Sequence, residues 1–300
     1  MAFTVGIIGT GRLGKALAIA FAELNMLKFV VTGSLVHSNE IADSLSSDIR
    51  IYHNLKNIKS FPDILFLTVQ DSRIEKLADD LTELYNGKLS NTVIIHCSGF
   101  LPVSILDSLN PVAKSVVKLH PFQTFFNADD EVFDGVAWTA ESDDTSKPFI
   151  TEIVKLLNGN LFFTDEIQNF DSEKYHISAV FAANYQAVNL RYATRTAKES
   201  GINPAKFIPK IALTSTNNSI PKMKNNGNEL ALTGPIARGD IEAVRRHIES
   251  LRNSETELKG YVLIGLASAE LAFAEGMIDF ESYTNFKIIF LFEIKNLFSI

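Results

Sequence analysis

The residues with the clearest chemistry stand near the start of the chain. Gly9-Thr10-Gly11-Arg12-Leu13-Gly14 follows the apolar run Phe3 to Ile8, and Leu13, Leu17, Ala20, Phe21 and Leu24 then recur every three or four residues. Strand, glycine turn and helix in that order give a spaced set of glycines its meaning. The first allows a tight turn, the second has no Cβ to obstruct a diphosphate, and the third lets helix and strand close on each other. Free N–H groups and the positive end of the helix then face the phosphates. Gly9, Thr10, Gly11, Arg12, Leu13 and Gly14 are thus candidate contacts to the diphosphate of a dinucleotide. The bland alternative is a glycine-rich connection that binds nothing.

Which dinucleotide is bound is decided near the end of the second strand. A carboxylate there would accept from the ribose 2′-hydroxyl of NAD and repel the 2′-phosphate of NADP. Between Glu23 and Glu40 there is no acid, while His37 and Ser38 offer donors. The expectation is NADP, with NAD possible, because the usual arginine is missing and neutral histidine is a weak phosphate partner. A solvent-facing turn explains His37 and Ser38 equally simply.

Further polar groups fall at strand ends, where ligands sit in a doubly wound sheet. Val69 closes one strand and could lie along the nicotinamide ribose, and Asp71 just beyond it is expected to cap the next helix. His96-Cys97-Ser98-Gly99 closes another, and Leu119-His120-Pro121 the next. Ser98 could hold a substrate carboxylate or carbonyl, and His120 could hydrogen-bond or polarise the substrate. Each histidine alone is as readily a packed, hydrogen-bonded residue, and Cys97 reads as a small buried hydrophobe. In the second half, His176, Val180 and Asn184 lie four apart on one helical face. His176 could give the proton that accompanies hydride delivery, with Asn184 holding the substrate oxygen and Lys174 as the competing acid. A helix–helix hydrogen bond is the structural alternative. Arg238, between Gly234 and Gly239, could clamp an anion or pair with Asp240.

These groups need elements to position them. Phe3 to Ile8, Phe29 to Val36, Ile64 to Val69, Thr92 to His96, Ser115 to Leu119, Val136 to Thr139 and Leu161 to Thr164 read as strands alternating with helices. That pattern predicts a doubly wound, mostly parallel α/β sheet of the Rossmann type over residues 1–165. From residue 166 to 300 the pattern is helical, predicting an all-helical domain for substrate binding and dimerisation. Asp171 or Ser172 and Asp240 are expected helix caps, and Ser215 to Gly239 is expected to be a turn-rich excursion.

Composition narrows the classes. Three hundred residues with 46% hydrophobic content support two cores, and a net charge of −7 disfavours a nucleic-acid partner. No apolar run approaches the roughly 20 residues of a membrane helix, and Phe3 to Ile8 lacks the flanks of a secretion signal. A single cysteine excludes a disulfide framework or a cysteine zinc site and points to a reducing, cytoplasmic location. Phe286, Ile288, Ile289, Phe290, Phe292, Ile294 and Phe298 are apolar on several faces, which points to a homodimer formed through the helical domain.

Together, the glycine turn, His96-Cys97-Ser98-Gly99, Leu119-His120-Pro121, Tyr175-His176 with Asn184, and Leu232-Thr233-Gly234-Pro235 with Arg238-Gly239-Asp240 resemble a known family. It is the Rossmann-like family of short-subunit dehydrogenase-like oxidoreductases with a helical C-terminal domain of unknown function. The likeness spans nearly the whole chain and extends to pyrroline-carboxylate reductases, ketopantoate reductases and β-hydroxyacid dehydrogenases. It implies an NAD(P)-dependent oxidoreductase acting on a small carbonyl, hydroxy or imino acid held between the domains. By analogy with the β-hydroxyacid dehydrogenases, Ser98 binds substrate and Asn184 takes the asparagine role, while their catalytic lysine has no clear counterpart here. The rival from another class is a non-catalytic redox sensor built on the same dinucleotide site. Methyl transfer from S-adenosylmethionine is a third reading, disfavoured by the third glycine and the long first helix.

Overall fold

The structure is a computed structural model and describes residues 3–33, 39, 41–46, 48–125, 132–224 and 231–299. It divides into two compact units, Met1–Phe181 and Ala182–Ile300.

The first unit is built on one eight-stranded sheet. Its strands are β1 (Val5–Ile8), β2 (Leu27–Val31), β3 (Arg50–Tyr52), β4 (Ile64–Leu67), β5 (Val93–His96), β6 (Ser115–Pro121), β7 (Ala137–Glu141) and β8 (Asn160–Phe163). They lie in the order β3-β2-β1-β4-β5-β6-β7-β8, and every pair is parallel except β6 with β7. The central strand β4 is apolar throughout because both faces are covered: Ile64 and Phe66 enter one core with Leu17, Phe21 and Trp138, and Leu65 and Leu67 enter another with Leu81 and Leu106. The flanking helices are α1 (Arg12–Glu23), α2 (Ile74–Tyr85) and α3 (Lys147–Leu156), followed by α4 (Ser172–Ala179).

All seven expected strands are present, with shifted ends, and the sheet gains β3, only three residues long. Its pairing with β2 is tertiary and leaves no local pattern to read. The strand order reverses between β1 and β4, so the crevice beyond their carboxyl ends is the ligand position that such sheets provide.

The compact units divide at Phe181, whereas the alternation of strand and helix stops near Asp165. The reason is α4, which stays with the sheet: the Tyr175 ring packs 4.4 Å from that of Phe122. Asp171 caps α4 by accepting from the Lys174 N–H at 2.9 Å.

The second unit contains α5 (Tyr185–Glu199), α6 (Ile208–Lys224), α7 (Ile241–Ser250), α8 (Glu255–Ala274) and α9 (Phe280–Phe298). Its core joins Val244, Ile248, Leu258, Val262, Phe286 and Phe290. Gly265 is required there, since a Cβ would lie 2.5 Å from the Phe290 ring. Asp240 caps α7 through the Ala243 N–H. Of the excursion expected over Ser215 to Gly239, the part from Ser215 to Lys224 is instead the end of α6, and residues 225–230 lie outside the described residues. Hydroxyls that would favour turns are instead absorbed by the helix, Thr216 donating to Ala212 O and Ser219 to Ser215 O.

Candidate functional site

The turn after β1 is pinned on both sides. Gly9 N–H donates to Val31 O, Thr68 N–H donates to Ile8 O, and the Thr68 hydroxyl donates to Gly9 O at 2.7 Å. Gly9 has φ +105°, and a Cβ on it would stand 2.7 Å from Thr68 O. A Cβ on Gly14 would lie 1.9 Å from Gly9 O, so this glycine brings α1 against the end of β1. Gly11 is different: a Cβ there would meet nothing within 4 Å. Its bareness serves no contact with the described residues.

Gly11 is the N-cap of α1, yet no side chain caps the helix and no acid stands in its first turn, where Arg12 and Leu13 lie. The Thr10 hydroxyl is buried and has no hydrogen-bond partner among the described residues. An open glycine, uncapped N–H groups and an orphaned hydroxyl form a donor set suited to a diphosphate. Val69 lies beside the turn, 3.0 Å from where a Gly9 Cβ would be. A cavity of about 300 Å³ opens there, lined by Gly9, Val31, Gly33, Val69, Arg73 and Lys76 among others. His37 and Ser38 lie outside the described residues.

Further along the same sheet edge, polar groups are bonded to one another. Asp71 does not cap the following helix as expected. It accepts the Ser98 hydroxyl at 2.8 Å, and Ser98 Oγ in turn accepts from the Phe100 and Leu101 N–H groups. Ser98 therefore shapes the turn after β5, and its one proton is committed to Asp71. His96 is fully buried, and its Nδ1 accepts from Ser98 N–H. Burial, with the nearby Lys118 ammonium, holds His96 down to about 4. Lys118 is itself buried and paired with Glu141 at 2.9 Å across the β6–β7 ladder. Cys97 is buried, and burial raises its thiol, so it is no activated nucleophile.

His120 stands at the end of β6 with its ring against Gly99, where a Cβ would lie 2.8 Å from Nε2. Its Nδ1 is 3.1 Å from Cys97 O. A carbonyl only accepts, so Nδ1 carries the proton, and the neutral ring presents a bare Nε2. Burial lowers the His120 pKa, and the His176 charge adds to that, so the neutral form prevails at pH 7. The ring also meets Tyr175 edge-on at 6.2 Å. Phe122 and Phe170 pack around Tyr175, and burial pushes its phenol up to about 12.

His176, on the same helix as Tyr175, is exposed. The helix carrying it widens into a π-turn at Val180–Asn184, a feature common at functional sites. Asn184 ends that turn in the second unit. Arg238 makes no ion pair with Asp240 among the described residues, and Asp240 serves as a cap instead. A larger cavity, about 510 Å³, lies wholly in the second unit, walled by Tyr192, His247, Glu257 and Tyr261, and holds none of the residues that the sequence singles out.

Asp71, Lys118 and Glu141 escaped the sequence reading as site residues, and Tyr175 entered it only as part of the motif with His176. Lys118 leaves a signal of its own, a cation within a strand.

Residues 1–121 match the family model of a Rossmann-like domain, and residues 136–268 match that of a domain of unknown function, DUF2520. The chain is a Rossmann-like protein with a C-terminal DUF2520 domain. No curated protein matches it. Among solved structures, this Rossmann-like protein is similar to a Bacteroides fragilis protein provisionally named an NADP oxidoreductase, with 19% identity, TM-score 0.69, and coverage of 91% of this chain and 97% of the other. It is also similar to an imine reductase from Myxococcus stipitatus in complex with NADP+ (14%, TM-score 0.63, 94% and 99%). A third is the Plasmodium falciparum pyrroline carboxylate reductase with NADP bound (17%, TM-score 0.56, 92% and 98%). At such identities the likeness is one of fold. Among the described residues no helix is long and apolar enough to cross a membrane.

Proposed function

We propose that this chain is an NAD(P)-dependent oxidoreductase, with NADP favoured, that moves hydride between the nicotinamide and a small carbonyl, hydroxy or imino acid. The observation that carries the reading is the turn after β1, where, among the described residues, a Cβ on Gly11 would meet nothing and the buried Thr10 hydroxyl has no hydrogen-bond partner. The solved structures of this fold that hold NADP are consistent with it.

Gly9, Gly11 and Gly14 would admit the diphosphate, and the N–H groups of Arg12 and Leu13 would bond it. Val69 would lie along the nicotinamide ribose, and His37 and Ser38 are proposed near the adenosine ribose. When bound, the coenzyme supplies or accepts the hydride. His176 would give the proton that the substrate heteroatom takes up on reduction, with Lys174 as the competing donor. His120 Nε2 is an acceptor, so it would hold a substrate hydroxyl or an iminium N–H rather than polarise a carbonyl. Ser98 would act through the turn that it holds, and Asn184 would position the substrate oxygen.

We also propose a homodimer formed through the helical unit. Its support is exposed apolar surface: Ile288 and Phe292 on α9 are 62% and 61% exposed. A cytoplasmic setting fits the one buried thiol.

The test is fluorescence titration with NADPH and NADH, then a screen of keto and imino acids for loss of nicotinamide absorbance. His176→Ala should bind coenzyme normally and lose turnover at least ~100-fold. A redox sensor would have no turnover to lose. Binding of neither coenzyme would overturn the proposal.

A further inference from the structure

We propose that the 2′-phosphate of NADP is read from the start of α2, by Arg73 with help from Lys76, rather than from the turn after β2. The inference rests on the coenzyme reading above and extends it to the choice between NADP and NAD.

The adenosine half of a dinucleotide runs from the diphosphate turn across the end of the second strand. The 300 Å³ cavity occupies that path: Gly9 after β1, Val31 and Gly33 at the end of β2 and Val69 beyond β4 all line it. The beginning of α2 lines it as well. Val69 and Leu77 give the lining apolar surface for a purine, and Arg73 and Lys76 give it charge.

The charges do not cancel. Asp80 is the single acid in the lining among the described residues, and it is held by Lys76, whose ammonium lies 3.0 and 3.3 Å from its two oxygens. Arg73 makes no ion pair among the described residues. The cavity therefore carries one cation in excess, on a guanidinium whose fork can take two phosphate oxygens. A bare 2′-hydroxyl would gain little from that group. The acid that reads such a hydroxyl is also missing, for residues 24–39 hold no Asp or Glu. Sequence order hid this arrangement. Arg73 follows the end of β2 by about forty residues, and only the order β2-β1-β4 brings the two strand ends to one cavity.

The test is calorimetric titration of the full chain with NADPH, NADH and adenosine 2′,5′-bisphosphate. Arg73→Ala should weaken NADPH and the bisphosphate roughly 10- to 100-fold and leave NADH within about twofold. Arg73→Lys should recover part of the loss, and Lys76→Ala should cost less than Arg73→Ala. Arg73 is exposed, so an unchanged thermal transition should accompany the binding defect. The inference is overturned if Arg73→Ala keeps the wild-type NADPH to NADH ratio, if the loss follows His37→Ala or Ser38→Ala instead, or if the wild type binds both coenzymes equally. Equal binding sinks this inference alone, whereas binding of neither sinks the coenzyme reading with it.

Discussion

The two units handle their apolar residues in opposite ways. In the sheet unit both faces are covered from within, and the central strands are sealed: Phe66, Leu65 and Ile94 are fully buried. In the helical unit the core is a single cluster, and large side chains remain outside it, among them Ile211, Leu213, Ile288 and Phe292. The first unit leaves fewer large side chains outside, Phe100 and Phe162 among them, and gathers polar groups and glycines at the carboxyl ends of its strands. The second has a surface that water solvates poorly. The proposed coenzyme site thus belongs to the first unit and the proposed assembly surface to the second, and each proposal can be broken separately.

The largest effect should come from the glycine turn. Gly14→Val places side-chain atoms where even a Cβ would be 1.9 Å from Gly9 O, a backbone atom that cannot swing away. We expect a loss of about 3 kcal/mol or more in the stability of the sheet unit, together with coenzyme binding. Gly11→Val has open space around its Cβ and should cost no more than about 1.5 kcal/mol, the loss of a favoured N-cap, while weakening NADPH at least ~10-fold. Urea unfolding followed by Trp138, the only tryptophan and buried in the sheet unit, measures the first. Titration measures the second. Equal effects of both substitutions on stability would show that the bareness of Gly11 is structural.

The glycine turn was legible because a strand, its turn and the next helix are contiguous, so local order carries the geometry. The caps at Asp171 and Asp240 were legible for the same reason. What the sequence hid is what the sheet order creates. Ser98 bonds Asp71 from a strand away, His120 donates to Cys97 O from the next strand, and Arg73 faces the end of β2. The misplaced role of Asp71 shows the limit: a helix-start position suggests a cap, but a serine hydroxyl from β5 takes the carboxylate instead. β3 was missed because three residues supply no periodicity.

Next in size is the helical surface. If a second copy covers α9, Ile288→Glu with Phe292→Glu should raise the dimer dissociation constant more than ~100-fold, since two buried apolar side chains at about 2 kcal/mol each would be replaced by charges. Light scattering across a dilution series would show the variant at half the wild-type mass. A monomeric wild type at micromolar concentration would remove the assembly half of the comparison.

The buried histidine of the sheet unit gives a smaller, pH-dependent effect. His96 is held down to about 4 from an ordinary 6.5, so the unfolded chain binds its proton first as the pH falls. The stability it contributes is complete above pH 6.5 and is lost progressively toward pH 4. The loss amounts to about 3 kcal/mol at 1.36 kcal/mol per unit. Trp138 fluorescence in urea at several pH values should show this slope, and His96→Asn should flatten it. A wild-type slope that survives the substitution would assign the titration to other groups, His120 first, which burial shifts in the same direction.

The smallest effect sharpens the comparison most. Asp240 accepts from the Ala243 N–H at 3.0 Å and so starts α7, which carries Val244, Ile248 and Leu251 into the core of the helical unit. Asp240→Ala should cost about 1 kcal/mol. The loss should appear in the helical signal near 222 nm and not in Trp138 fluorescence, because the tryptophan reports only the unit in which it is buried. If both signals shift together, the two units unfold as one cooperative body, and the apolar surface of α9 must be weighed against the stability of the whole chain rather than of its own half.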